Sequence, residues 1–198
     1  MNRRLLLGAL SALVGCAGSD VRSGALRGIE LPEPWPKPAF TLTDTRGEPF
    51  AFRERTAGKV TLLFFGYTHC PDICPVHMAN LAAVLAKLPP AVANEVAVVF
   101  VSTDPERDTG NRIRSWLDGF DPAFIGLRGS LDSVNVIQQE IGLAAAVPGE
   151  RTAADGYLVG HAAQVVAYTK DDSAHVVYPS RTRQTDWAHD LPRLVTRR

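Results

Sequence analysis

Apolar residues recur along this chain at two different periods, and the changes of period mark its elements. Phe40-Thr41-Leu42-Thr43-Asp44 alternates apolar and polar residues, Thr45-Arg46-Gly47-Glu48 has turn composition, and Phe50-Ala51-Phe52 resumes the alternation, which predicts a β-hairpin. Val60 to Phe65 is a short, nearly continuous apolar run, the signature of a strand buried on both faces. From Val76 to Leu88 the pattern changes: Met78, Leu81, Val84, Leu85 and Leu88 fall at helical spacing. Val96 to Ser102 predicts a second buried strand, Ile113, Trp116 and Leu117 a further helix, and Phe124 to Leu127 a short strand. Ser130 to Ile141 is expected to be a helix that Ser130 or Asp132 caps, Gln164 to Tyr168 and Val176 to Tyr178 paired strands, and Asp186 to Val195 a terminal helix.

A strand, a helix and a strand in succession imply parallel pairing through a right-handed crossover. The full order, a hairpin, then β-α-β-α, then β-β-α, predicts an α/β fold of thioredoxin-like type, with a central mixed sheet flanked by helices and an N-terminal β-hairpin. At 198 residues and 45% hydrophobic content, the chain suits one compact domain with appendages. The 21 basic and 21 acidic residues cancel, and no basic stripe carries interleaved aromatics, which argues against a nucleic-acid partner.

The N-terminus reads as an export signal rather than as part of the fold. Met1-Asn2-Arg3-Arg4 is a short positive segment, and the apolar run from Leu5 to Gly15 is too short to span a bilayer comfortably. It ends in Leu13-Val14-Gly15-Cys16, which resembles a bacterial lipobox; residues 1–16 would then be a signal whose cysteine, Cys16, receives lipid. A conventional signal peptide cut after Gly15 is the alternative. Residues 17–37, rich in Gly, Ser and Pro, are expected to be an extended tether, and residues 38–198 the domain. Either export route places the domain in the bacterial cell envelope, on the outer face of a membrane, where unprotected thiols tend to oxidise.

With Cys16 acylated, two cysteines remain for chemistry, in Cys70-Pro71-Asp72-Ile73-Cys74-Pro75, directly after a predicted strand. Thiols four positions apart on a helix share a face, so both sulfurs are able to reach one soft metal ion or close a disulfide. A helix N-terminus lowers thiol pKa and favours thiolate, which serves as both ligand and nucleophile. Pro71 and Pro75 restrict the loop. Two thiolates without two further cysteines suit Cu(I) in low coordination better than structural zinc.

A third ligand is sought among five histidines. His161, before the apolar segment 162–167, is the leading candidate, and His69, beside Cys70, is its competitor; His77 is expected to be a partly exposed helix residue, and His175 and His189 surface groups. Asp72 either tunes the site and meets a partner or simply favours a helix start. Asp104, Arg107 and Asp108 are expected to order their loop through ion pairs.

Two blocks carry a resemblance to a known family. Phe65-Gly66-Tyr67-Thr68-His69-Cys70-Pro71-Asp72-Ile73-Cys74-Pro75 is similar to the signature of the SCO/SenC family, and Val101-Ser102-Thr103-Asp104-Pro105-Glu106-Arg107-Asp108-Thr109 is similar to its second block. The resemblance implies a membrane-anchored thioredoxin fold that binds copper, as Cu(I) and in some states Cu(II), through Cys70, Cys74 and His161. It further implies a metallochaperone that helps assemble the copper centre of cytochrome c oxidase. The implied partners are the apo copper-binding subunit, another copper chaperone or a thioredoxin-like reductant. His69, Asp72 and Asp104 are then candidates for supporting the ligands or contacting a partner. The rival reading is a thiol–disulfide oxidoreductase that reduces the oxidase subunit's cysteines. The chain departs from the family in reading Val159-Gly160-His161-Ala162 where Val-Asp-His-Ser or Val-Asp-His-Thr is usual, which removes a carboxylate and a hydroxyl beside the imidazole. The usual Asp-Pro-x-Gly turn is likewise replaced by Thr169-Lys170-Asp171-Asp172.

Overall fold

The structure, a computed structural model, describes residues 25–151 and 156–197. Its centre is β4 (Val60–Gly66), in which all seven residues are buried. Side chains alternate across a strand, so Leu62 and Phe64 enter one core while Leu63 and Phe65 enter the other. Parallel pairing with β5 (Val96–Ser102) runs in register from Val60–Val96 to Gly66–Ser102, and β5 pairs in parallel with β6 (Ile125–Arg128). Helices α2 (Ile73–Leu85) and α3 (Pro90–Ala93) make the crossover between β4 and β5.

The hairpin of β2 (Thr41–Asp44) and β3 (Pro49–Ala51) extends the sheet antiparallel beyond β6, and the short α1 (Phe52–Arg55) follows it. On the other side of β4 lie β9 (Val165–Tyr168), β10 (Ser173–Tyr178) and, at the edge, β1 (Ile29–Pro36), all antiparallel to their neighbours. The complete order is β1-β10-β9-β4-β5-β6-β2-β3. One face is covered by α2, α4 (Gly110–Asp118) and α6 (Gln184–Thr196), through Met78, Leu81, Ile113, Leu117, Trp187 and Leu191. The other is covered by Phe52 of α1 and Val134 and Ile137 of α5 (Leu131–Glu140). The Ser130 hydroxyl caps α5 by accepting from the Ser133 amide at 3.1 Å. A separate two-stranded ribbon, β7 (Val147–Pro148) with β8 (Val159–Gly160), leads into residue 161. This is the mixed sheet between helical layers that the element order predicts.

Part of the expected tether belongs to the sheet. Residues 17–24 and Cys16 lie outside the described residues, but Ile29–Pro36 pairs with β10 as an edge strand, with its register broken between Glu30 and Trp35. The alternating prolines that exclude helix are tolerated there, because an edge strand leaves one side of its backbone without ladder partners. Lys37 closes this strand: its side chain is fully buried, and its ammonium donates to Thr56 O at 3.2 Å and Thr61 Oγ1 at 3.1 Å and pairs with Asp172 at 3.4 Å. Asp172 itself sits at φ 56° in the β9–β10 turn, and Asp171 Oδ1 braces that turn by accepting from Thr169 Oγ1 and the Ser173 amide.

Burial holds the Lys37 ammonium below its ordinary pKa of 10.5, against the opposing pull of Asp172. Lys37→Ala is expected to lower unfolding stability by about 3 kcal/mol, measured in urea, because it strands a buried carbonyl and loosens the edge strand. Relative to Lys37→Met, the wild-type protein should gain stability as pH rises toward 10.5, since the unfolded chain there binds more protons than the folded one.

Candidate metal centre

The carboxyl end of β4 sets the site. After Gly66 the chain turns through Tyr67 and Thr68, with the Cys70 amide donating to Tyr67 O at 3.2 Å, and enters α2 at Ile73. Cys74 therefore lies in the first helical turn, whereas Cys70 precedes the helix. The two thiols do not share a helical face as expected, because the residue before a proline is biased away from helical backbone and Pro71 follows Cys70. Pro75 is accommodated in the first turn, where a missing amide leaves no helical bond unmade. Asp72, at the N-cap position, is exposed and makes no side-chain capping bond.

The thiols nevertheless converge. The ligand atoms of Cys70, Cys74 and His161 all lie within 4.8 Å of one another, and Cys74 Sγ is 3.6 Å from His161 Nε2. His161 follows β8, and its Nδ1 donates to Ala162 O at 2.9 Å. That bond assigns the proton to Nδ1 and leaves the Nε2 lone pair facing the sulfurs, the arrangement that suits a metal-ligating imidazole. A backbone carbonyl thus orients the ring in a chain that has Gly160 beside the histidine. The edges of Phe64 and Tyr67 meet the imidazole, with centroids 6.0 and 5.6 Å away.

The thiols are inequivalent. Hydrogen bonding from Cys74 pulls the Cys70 pKa down to about 3, and the backbone amides of Cys74 and Asp72 add to this against partial burial. Burial pushes Cys74 strongly up, and its proton shared with Cys70 reinforces that shift. The resting site is a half-buried thiolate beside a buried thiol, so the expected effect of the helix N-terminus acts on Cys70 through amide hydrogens and not on the thiol within the helix. Cys74 is packed so closely over β4 that a Cβ on Gly66 would lie 2.7 Å from its sulfur.

Of the other candidates, His69 is exposed and lies 3.5 Å from Asp108 through Nδ1. It forms a second cluster with Asp104 and Asp108. Those carboxylates are already occupied: Asp104 accepts from Arg107 at 2.5 Å and Tyr157 Oη at 2.6 Å, and Asp108 accepts from Thr68 Oγ1, the Thr68 amide and Ser102 Oγ. The cluster orders loops, as expected for Asp104 and Arg107, while Asp108 works through hydroxyls and an amide. The loop also holds the approach to His161, since the Arg107 guanidinium stacks on Tyr157 at 3.8 Å and donates to Tyr157 O. His175 and His189 pair with Asp171 and Asp190, both partly buried rather than free at the surface. His77 is not the partly exposed residue expected but is 1% exposed. Its i, i+3 offset from Cys74 was the available signal.

A dithiol and an imidazole at the carboxyl end of a central parallel strand define the class, a thioredoxin-like protein with a composite thiol–histidine site. The SCO1/SenC family model matches residues 33–196, and the chain belongs to that family. It is similar to the apo Sco1 protein of Thermus thermophilus, at 32% identity and a TM-score of 0.76 over 86% of this chain and 97% of that one. It is also similar to copper-bound ScoI of Bradyrhizobium japonicum, at 30% identity and a TM-score of 0.66 over 84% and 99%. To the mitochondrial protein SCO2 of Saccharomyces cerevisiae it is 36% identical over 122 residues, 62% of this chain and 40% of the yeast protein's length. Among the described residues, no helix is long and apolar enough to cross a membrane.

Gly66→Ala is expected to displace the Cys74 sulfur and weaken metal binding at least tenfold with the fold retained, as read by Cu(I) competition and circular dichroism. In the reduced apoprotein, alkylation should fall on Cys70 at a rate nearly flat from pH 8 to about pH 5, where an ordinary thiol slows tenfold per unit. Mass mapping across that range checks both the site and the slope.

Proposed function

We propose that this protein is a copper metallochaperone that holds Cu(I) through Cys70, Cys74 and His161 and transfers it by ligand exchange to the apo copper-binding subunit of cytochrome c oxidase. The observation that carries this reading is the convergence of two sulfurs and one correctly protonated imidazole within 4.8 Å. Two soft sulfurs with a single nitrogen donor suit monovalent copper, and the same set is able to hold Cu(II). Partial exposure of Cys70 and His161 leaves one side of the site open to an incoming ligand, while Cys74 stays buried. Lipid at Cys16 would tether the domain to the outer face of the membrane, near a membrane-bound oxidase. Asp72 and His69, exposed and close to Cys70 in the chain, are the proposed contacts for the oxidase subunit or for a donor chaperone.

The thiolate and thiol pair supports a second reading, reduction of the recipient's cysteines. The Cys70 thiolate would attack a partner disulfide, forming a mixed disulfide and releasing one partner thiolate. Cys74, losing its proton, would then attack the Cys70 sulfur and release the second, leaving the partner reduced and this pair oxidised. A thioredoxin-like reductant would restore the dithiol.

His161→Ala is expected to weaken Cu(I) binding by more than about 100-fold in competition with a chelator, beyond the loss typical of a ligand's supporting partner. Unchanged affinity would remove the three-ligand reading. Cys74→Ser separates the two activities: it should lose tight copper binding, and it should accumulate a mixed disulfide with the oxidised oxidase subunit only if thiol exchange is part of the function.

A further inference from the structure

Helix α2 carries a second group directed at the histidine segment. His77 lies one helical turn beyond Cys74, on the same side of the helix. It is 1% exposed, and its Nε2 lies 3.0 Å from Ala163 O, two residues past His161. A carbonyl only accepts, so Nε2 carries the proton, and Nδ1 is left without a hydrogen-bond partner among the described residues. The His77 ring also packs on Phe64, with centroids 5.0 Å apart, and the His161 ring meets the same Phe64 ring, with centroids 6.0 Å apart. Burial lowers the His77 pKa, in keeping with a neutral ring that acts as a fixed donor.

From this geometry we propose that His77 is a positioning residue for His161, tying the helix that bears Cys74 to the segment that bears the imidazole so that sulfur and nitrogen keep their separation. The polypeptide between Cys74 and His161 runs through β5, β6 and the β7–β8 ribbon, and β8 is only two residues long, so a strand ladder does little to fix residue 161. The hydrogen bond to Ala163 O supplies a direct link across that gap. Tyr157, held by Asp104 and Arg107, restrains the same segment from its other end. The consequence for copper rests on the proposed function; the positioning itself does not.

The test begins with the reduced apoprotein. Long-range proton–nitrogen NMR correlations on the wild-type protein should show His77 as the Nε2–H tautomer with a slowly exchanging proton; an Nδ1–H or averaging ring overturns the proposal. In His77→Leu, contacts between the His161 ring and the Phe64 and Tyr67 rings should be lost and the amide signals of residues 160–163 should shift, while signals from β4 and β5 stay in place. His77→Gln, which offers an amide donor from the same helix position, should restore the ring contacts. Persistence of the contacts in folded His77→Leu overturns the proposal, as does their loss in both variants. Cu(I) affinity should fall about tenfold in His77→Leu and recover to within about threefold in His77→Gln, with no further loss when Leu is combined with His161→Ala. An equal loss in the His161→Ala background marks a role that does not act through His161 and overturns the proposal. Should His161→Ala leave copper affinity untouched while the apoprotein results hold, the copper reading fails and the positioning role stands.

Discussion

Everything at the site depends on the burial of β4 between two helical layers. A strand with all seven residues buried has a fixed register and a fixed end, and the parallel ladder to β5 brings the ends of the two strands, Gly66 and Ser102, side by side. Both loops that carry polar function, 67–72 and 103–109, leave from that shared edge. Their joining is local in space though remote in sequence: Asp108 at the end of one loop accepts from Thr68 in the other, and the Thr103 amide donates to Gly66 O at 2.7 Å. The core therefore does more than stabilise the domain, because it places a reactive loop against an ordering one.

Within that frame the two cysteines differ because one is inside the helix and the other is not. Cys74 is pressed onto Gly66, loses solvent and keeps its proton. Cys70, held outside the helix by Pro71, collects that proton's hydrogen bond and two amide hydrogens, so it carries the negative charge. The asymmetry suits both activities considered: a metal ion would displace the shared proton, and a disulfide partner would meet the more exposed thiolate first. It also explains why a pair spaced by three residues need not be a helical pair to be a chelating one.

The outer parts of the domain follow the same logic of closing exposed backbone. The proline-rich segment before the hairpin shields β10 as an irregular edge strand, and the buried ammonium of Lys37 ends it. At the other terminus the buried Asp190 carboxylate accepts from the amides of Arg27 and Gly28 and from Tyr178 Oη, so α6 grips the beginning of the described chain. These contacts seat the beginning of the described chain on the domain.

The sequence by itself determined the main strands and helices of the domain and their order, though not β1, α1, α3 or the β7–β8 ribbon, since apolar periodicity records which faces are buried, and it singled out Cys70, Cys74 and His161 through motif and family resemblance. It also located the loop-ordering role of Asp104 and Arg107. It misplaced the thiols on one helical face, because the effect of Pro71 on the backbone of Cys70 outweighs simple helical spacing. It read Ile29–Pro36 as tether, because pairing with β10 is a long-range contact that no local pattern encodes. Gly160 looked like a lost support for His161, yet the Ala162 carbonyl orients the ring, and backbone groups carry no residue identity for a sequence to reveal. Burial of His77 was likewise decided only by the packing of α2 against residues 161–163. Such features arise where segments far apart in the chain meet, and distance in space is the quantity that a one-dimensional pattern does not contain.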